Sequence, residues 1–284
     1  MKLTNFKNAL GTPYFETDSI LIYNMDCKEG INAIKNSGYR IDCTITSPPY
    51  NIGKEYENKM DITEYRDWLA SIVNGIYDIT SDVGAFLLNV GYLEVTHRGK
   101  AVPITYLLWD HIKFYLIQEI IWNYGAGVAC KRMLSPRNEK ILWYVKNAHS
   151  YTFNLDEIRD PDVKYPNQKK NGKLRCNTLG KNPSDVWQIA KVTSGENRSS
   201  VERTDHPAQF PTDLIDRMVK GFTNPEDIIL DPFIGSGTTA VSCMNNGRKC
   251  IGFEIREDYC DIICDRLDQA YEEKREQESI LSLF

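Results

Sequence analysis

Asp231-Pro232-Phe233-Ile234-Gly235-Ser236-Gly237-Thr238-Thr239 follows the apolar run Ile228-Ile229-Leu230 and leads into Ala240-Val241-Ser242-Cys243-Met244, so it reads as a tight turn joining a strand to a helix. Gly235 and Gly237 let the backbone turn sharply and bring a ligand close to the main chain, and the helix opening at Thr238 offers unpaired N–H groups. Such a turn is a ligand seat. It lacks a third glycine at dinucleotide-binding spacing and the lysine of a nucleoside-triphosphate loop, which disfavours both of those ligands.

The pattern continues on both sides of the turn. A helix from Thr212 to Gly221 and a strand from Asp227 to Asp231 precede it. A helix from Thr238 to Asn246, a strand Cys250-Ile251-Gly252-Phe253-Glu254 and a helix from Glu257 onward follow it. Glu254 closes its strand with an acceptor suited to both ribose hydroxyls of a bound adenosine. The first half alternates in the same way: a strand at Ser19–Tyr23, a helix at Lys28–Asn36 and a strand at Asp42–Thr46. A helix at Thr63–Tyr77, a strand at Ala85–Val90, a helix at Val102–Ile112 and strands at Phe114–Trp122 and Ile141–Val145 complete it. Between Ala126 and Asp205 periodicity weakens and Pro, Asn, Gly, Ser and charged residues dominate, which predicts a region inserted into the core fold. The expected division is 1–125, 126–205 and 206–284, one core domain in two halves around an insertion.

A second motif, Thr46-Ser47-Pro48-Pro49-Tyr50-Asn51, stands at the carboxyl end of a strand, where open α/β sheets place ligands. Pro48 and Pro49 fix an extended backbone and restrict Ser47 in turn. That rigidity can hold the Ser47 hydroxyl and the Pro48 carbonyl as acceptors for an amino group, and Tyr50 offers a flat face for a base.

The net charge of −5 argues against a polyanionic partner only as a sum. Lys164, Lys169, Lys170, Lys173, Arg175, Lys181, Lys191, Arg198 and Arg203 cluster in the inserted region against only Asp185, Glu196 and Glu202, which suits one face presented to nucleic acid. The eight cysteines lie mostly in apolar runs without C-x-x-C spacing, so buried thiols are expected rather than disulfides or a metal site. No apolar stretch approaches the ~20 residues of a membrane span and no secretory leader is visible, so a cytoplasmic location is expected.

Together the two motifs resemble those of the amino-methylating DNA methyltransferases, D-P-F-x-G-S-G-T-T and [DNS]-P-P-[YFW]. Asn24-Met25-Asp26-Cys27 matches that family's G-D-C/A segment, and His206-Pro207-Ala208-Gln209-Phe210-Pro211 its H-P-T-Q-K-P segment. The order, catalytic motif before cofactor motif, is that of the β group, and the likeness spans roughly Ile20–Trp143 and Asp185–Tyr259. The resemblance implies a doubly wound, mostly parallel seven-stranded α/β sheet and S-adenosylmethionine as cofactor. Asp231, Pro232, Phe233, Gly235 and Gly237 would lie near its methionine part, with Ser236 and Thr238 supporting the turn. Glu254 would hold the ribose, and Asp26 and Cys27 the adenine edge. Asn24 for Gly and Phe210 for Lys depart from the family pattern.

The same resemblance implies duplex DNA as substrate, base flipping, and a place beside a cognate restriction endonuclease. Serine at the first catalytic position is associated with cytosine N4 and aspartate with adenine N6, so Ser47 points to cytosine, with adenine the alternative. RNA, a small-molecule acceptor and a catalytically silent DNA binder remain weaker readings. Oligomeric state is left open.

Overall fold

The computed structural model describes residues 3–54, 57–127, 129–193 and 200–281. Its elements, in chain order, begin with α1 (Leu3–Leu10), β1 (Phe15–Glu16), β2 (Ile20–Asn24), α2 (Cys27–Ser37), β3 (Ile41–Thr46), α3 (Ile62–Ile79) and β4 (Thr80–Val90). Next come β5 (Tyr92–Val95), β6 (Gly99–Pro103), α4 (Thr105–Leu108), β7 (Tyr115–Asn123), β8 (Asn138–Val145), β9 (Lys169–Lys170), β10 (Lys173–Leu174) and β11 (Val186–Gln188). The chain closes with α5 (Thr212–Phe222), β12 (Ile228–Asp231), α6 (Thr238–Asn245), β13 (Lys249–Glu254) and α7 (Glu257–Leu281).

The main sheet has nine strands in the order β1-β2-β13-β12-β3-β4-β8-β7-β11. Seven are the expected ones; the two-residue β1 and three-residue β11 extend the edges. The block from β2 to β4 is parallel throughout, whereas β8 runs antiparallel to both its neighbours. Strands buried on both faces read as near-continuous apolar runs, and alternate side chains feed two cores. Leu21, Tyr23, Phe86, Leu88, Ile228, Leu230, Ile251 and Phe253 meet α1, α2 and α3 on one face. Ile20, Ile22, Ala85, Leu87, Ile229 and Cys250 meet α5, α6 and α7 on the other.

One expectation is corrected. Val102–Ile112 is not a helix: β5 and β6 form a hairpin that ends at Pro103, and only the single turn Thr105–Leu108 follows. Ile104 and Leu108 are buried at helical spacing, but Tyr106 and Trp109 are 74% and 71% exposed, so the apolar pattern never closed into a longer face. Within 126–205 the chain contributes β8 and the edge strand β11 to the main sheet. The apolar run Ile141–Val145 expected as a strand forms the second half of β8, and Asn138-Glu139-Lys140 extends it at its start. The segment that leaves the sheet runs from 146 to 185 and carries little regular structure beyond the β9–β10 hairpin.

Five cysteines are buried, while Cys130 is exposed and Cys176 and Cys264 are half-buried. Among the described residues no helix is long and apolar enough to cross a membrane, and no group of His, Cys, Asp and Glu is arranged to hold a metal.

Candidate active site

Strand order reverses between the parallel neighbours β3 and β12. The chain leaves β3 toward β4 on one side and β12 toward β13 on the other, yet the two strands pair directly, Ile229 with Cys43 and Leu230 with Thr44. Their carboxyl ends therefore open a crevice at a switch point, the place where α/β sheets bind ligands. Ser47–Tyr50 leaves one strand there and the glycine turn leaves the other.

Thr46 Oγ1 donates to Asp231 Oδ1 at 2.6 Å across this junction, between residues 185 apart in sequence. Thr239 Oγ1 donates to the other oxygen at 2.6 Å, and the Phe233 N–H to Oδ1 at 3.1 Å. Asp231 is 3% exposed, and burial pushes its carboxyl up to about 6 even though all three hydrogen bonds favour the charged form. Its oxygens thus face the chain's own donors and pin the two motifs together.

Gly235 (φ +52°) and Gly237 (φ +77°) both occupy the left-handed region. A Cβ at Gly235 would lie 2.9 Å from the His206 imidazole. Burial, then the nearby Arg256 and Arg266, push that imidazole down to about 4, so it is neutral at ordinary pH. Ser236 and Thr238 are buried within the turn; Arg266 donates to the Ser236 carbonyl at 2.9 Å and to Thr238 Oγ1 at 2.7 Å, and Thr238 Oγ1 donates to the Phe210 carbonyl at 3.2 Å. Phe210 itself packs on Trp122, with centroids 5.9 Å apart.

Glu254 ends β13 beside the turn, its two oxygens accepting N–H groups from Gly235 (3.1 Å) and Arg256 (3.0 Å), and burial raises its carboxyl above the ordinary range. Next to it in the sheet, β2 ends at Asn24, opposite Glu254. Asp26 then caps α2 by accepting the Lys28 N–H at 2.8 Å, and Cys27 opens that helix. Burial, with Asp26 adding to it, pushes the Cys27 thiol up to about 12, leaving it protonated and uncharged.

Across the crevice, Ser47 Oγ donates to Tyr50 Oη at 2.9 Å, and Tyr50 Oη donates to Glu139 Oε2 at 3.0 Å. Asn89 Nδ2 donates to both, at 2.6 and 2.7 Å. Lys191 Nζ completes the group, 2.5 Å from Glu139 Oε1 and 3.9 Å over the Tyr124 ring. Pro48 is buried, and the Pro49 carbonyl accepts the Tyr65 hydroxyl at 2.8 Å. Gly91 leaves room for the tyrosine: a Cβ there would sit 2.9 Å from Tyr50 Cε2. Beyond Tyr50, the Glu57 carboxylate accepts N–H groups of Asn51, Ile52 and Lys54.

Most of these groups line one cavity of about 660 Å³. It is lined by the expected catalytic residues Ser47, Pro48, Pro49 and Tyr50 together with Asp26, Cys27, Asp231, Pro232, Phe233, Gly235, Ser236, Thr238 and Glu254; of the expected cofactor residues only Gly237 is not in the lining. The volume is within the range of small-molecule sites. Its donor set fits S-adenosylmethionine: carboxylates at Asp26 and Glu254 for a ribose and base edge, a half-buried Phe233 ring, and a glycine turn whose backbone a ligand can approach. Sequence reasoning missed Asn89, Glu139 and Arg266, which reach the site from distant strands and a helix and carry no local signature.

Apart from Lys191, the described basic residues of the inserted region lie outside this cavity. Lys164, Arg175 and Lys181, joined by Arg159, line a second hollow of about 520 Å³. Lys169, Lys170 and Lys173 are exposed on the β9–β10 hairpin, Lys181 pairs with Asp160 at 3.0 Å, and Arg203 is exposed. Arg198 falls outside the described residues.

A family model described as DNA methylase matches residues 41–265. The type II methyltransferase M.ScaI of Streptomyces caespitosus is 56% identical over 267 residues, 94% of this chain and 87% of that protein. The DNA adenine methyltransferase YhdJ of Escherichia coli (strain K12) is 31% identical over 239 residues, 81% of this chain and 77% of that protein. Among solved structures, PvuII DNA methyltransferase (cytosine-N4-specific) superposes with a TM-score of 0.67 at 20% identity, over 89% of this chain and 88% of that one. The M1.HpyAVI–SAM complex does so at 0.60 and 25%, over 87% and 98%. Family match, relatives and crevice agree, and this chain belongs to the N6/N4 DNA methylase family, with S-adenosylmethionine as its methyl donor.

Proposed function

We propose that this methyltransferase modifies the exocyclic N4 of cytosine in duplex DNA after flipping the base into the cavity, and that the basic residues between 126 and 205 hold and read the duplex. One observation carries the choice of base: the acceptor at the head of the catalytic motif is the uncharged Ser47 hydroxyl, whose own proton is directed to Tyr50 Oη. Its lone pairs are therefore open to an amino hydrogen, with the Pro48 carbonyl as the companion acceptor. An aromatic amine is a poor nucleophile because its lone pair is delocalised into the ring. Holding both N–H bonds turns that lone pair out of conjugation, and the gain is positional and electrostatic.

When bound, S-adenosylmethionine supplies an electrophilic methyl group. Glu254, Asp26 and Cys27 would hold its adenosine, with the turn around Gly235 beside its methionine part. The clamped Tyr50 hydroxyl fixes the plane of the ring on which the flipped base stacks, and stacking recovers part of the few kcal/mol that flipping costs.

Adenine N6 is the second reading, supported by the similarity to a relative named as an adenine methyltransferase. The names of the type II relatives support a restriction–modification setting with a cognate endonuclease. Incubation with methyl-labelled S-adenosylmethionine and unmethylated bacterial duplex DNA, followed by digestion to nucleosides, tests the choice of base. Label in N4-methylcytosine is the expected result; label in N6-methyladenine would overturn it.

A further inference from the structure

We infer that Glu139 is a positioning residue for the methylation step, acting through Tyr50 to fix the proton of Ser47 and to receive the proton that the amino group must lose. The inference rests on the amino-methylation reading above and adds a residue that no sequence motif marks.

The strand arrangement explains how Glu139 arrives. Because β8 is antiparallel to β4, its first residues lie at the carboxyl rim of the parallel strands, with Val90 opposite Lys140 and Asn89 opposite Ile141. Glu139 thus stands at the mouth of the switch-point crevice with its side chain 14% exposed. One oxygen meets Lys191; the other meets Tyr50 Oη and Asn89 Nδ2. A carboxylate that served only to anchor the lysine would have no need to face the catalytic loop.

Hydrogen-bond counting fixes the direction of the chain. A phenol oxygen donates once and accepts at most twice. The Tyr50 proton goes to Glu139 Oε2 at 3.0 Å in preference to the Asn89 carbonyl at 3.4 Å, because the carboxylate is nearer and charged. Asn89 Nδ2 and Ser47 Oγ then fill the two acceptor positions on Tyr50. Ser47 must donate outward to Tyr50, and its lone pairs are left facing the cavity. Without Glu139 the Tyr50 proton can turn to Ser47, which would then donate into the site where an acceptor is needed.

The same chain balances the chemistry. As the N–C bond forms and the donor's S–C bond breaks, with the electron pair kept on sulfur, the amino nitrogen becomes cationic and sheds one proton. That proton passes to Ser47 Oγ while Ser47's own moves to Tyr50 Oη and Tyr50's to Glu139, which ends as a neutral carboxyl and returns the proton to water after product leaves. Lys191 then loses its anionic partner but keeps the faces of Tyr124 (3.9 Å) and Trp122 (5.3 Å).

The test compares Glu139→Gln, Tyr50→Phe, their double variant and Glu139→Asp in single-turnover methylation of unmethylated bacterial duplex DNA, with cofactor affinity and melting temperature measured alongside. Each single variant is expected to slow methyl transfer about 10–100-fold, within the range of positioned proton-transfer groups, while cofactor Kd changes by less than about threefold. The double variant is expected to be no slower than the worse single, because both break one chain; Glu139→Asp recovers part of the rate. A Glu139→Gln rate near wild type, or losses that multiply in the double variant, overturns the relay. Should Glu139→Gln fold poorly, Tyr50→Phe removes a single oxygen from the same chain and decides the matter. A wild type that labels no DNA overturns both the relay and the reading beneath it.

Discussion

In the cavity wall, Asp231 is 3% exposed and both its oxygens are taken by donors of the chain, and Glu254, Tyr50 and Glu139 are held in the same way. On the β9–β10 hairpin, Lys169, Lys170 and Lys173 extend into solvent with no ion pair among the described residues. The first arrangement suits chemistry, which needs groups held within tenths of an ångström before the substrate arrives. The second suits approach to a duplex, where charge matters more than placement and binding is set by salt. One side should fail through geometry and the other through ionic strength, and each can be broken without the other.

The largest effect is expected at Ser47. Ser47→Ala should lower turnover about 100–1000-fold, the scale of losing one preorganised polar contact to the reacting group, while cofactor titration gives a nearly unchanged Kd. Weakened cofactor binding with normal turnover at saturation would assign Ser47 to the wrong half of the cavity. Gly235→Ala combines a left-handed backbone with a 2.9 Å approach to His206. It should weaken cofactor binding at least about tenfold and cost roughly 1–3 kcal/mol of stability, read by calorimetry and thermal melting.

Replacing Lys169, Lys170 and Lys173 by alanine should leave cofactor Kd and melting temperature unchanged. It should lower DNA affinity and flatten its logarithmic salt dependence by about 0.9 for each phosphate contact removed. An unchanged salt slope would take the hairpin out of the DNA-binding face.

The smallest effect concerns pH. His206 has a folded pKa of about 4, below the ordinary 6.5, so between these values only the unfolded chain takes up the proton and stability falls as pH falls. Wild type should therefore lose roughly 2 kcal/mol more than His206→Gln between pH 7 and pH 5. Asp231 has the opposite sign: its folded pKa of about 6 lies above the ordinary 3.8, so only the folded chain takes up that proton and stability rises as pH falls through the window. Melting curves of His206→Gln and Asp231→Asn at both pH values should diverge from wild type in opposite directions.

Local signals carried most of the fold. The apolar runs at β2, β3, β4, β12 and β13 each feed two cores by alternation, and the glycine turn has the left-handed geometry its residues predict. Reading failed where burial depends on partners far along the chain. Ile104 and Leu108 fit a helix until the exposure of Tyr106 and Trp109 is known. Likewise Glu139 looks like a solvated charge before a strand, and only the antiparallel placement of β8 brings it to Tyr50, 89 residues away. The basic cluster was visible as composition; that Lys181 is tied to Asp160 and that Arg159 joins the hollow were not.

The bond from Thr46 to Asp231 also has a consequence for biosynthesis. It joins residues 185 apart, and the crevice exists only once both strands lie side by side. At about 5–20 residues per second, a ribosome needs roughly ten to forty seconds to travel from one motif to the other. During that time the nascent chain carries the Ser47–Tyr50 loop without the Asp231–Thr239 turn beside it, so the crevice forms in a single late event, when the second strand slots in beside the first.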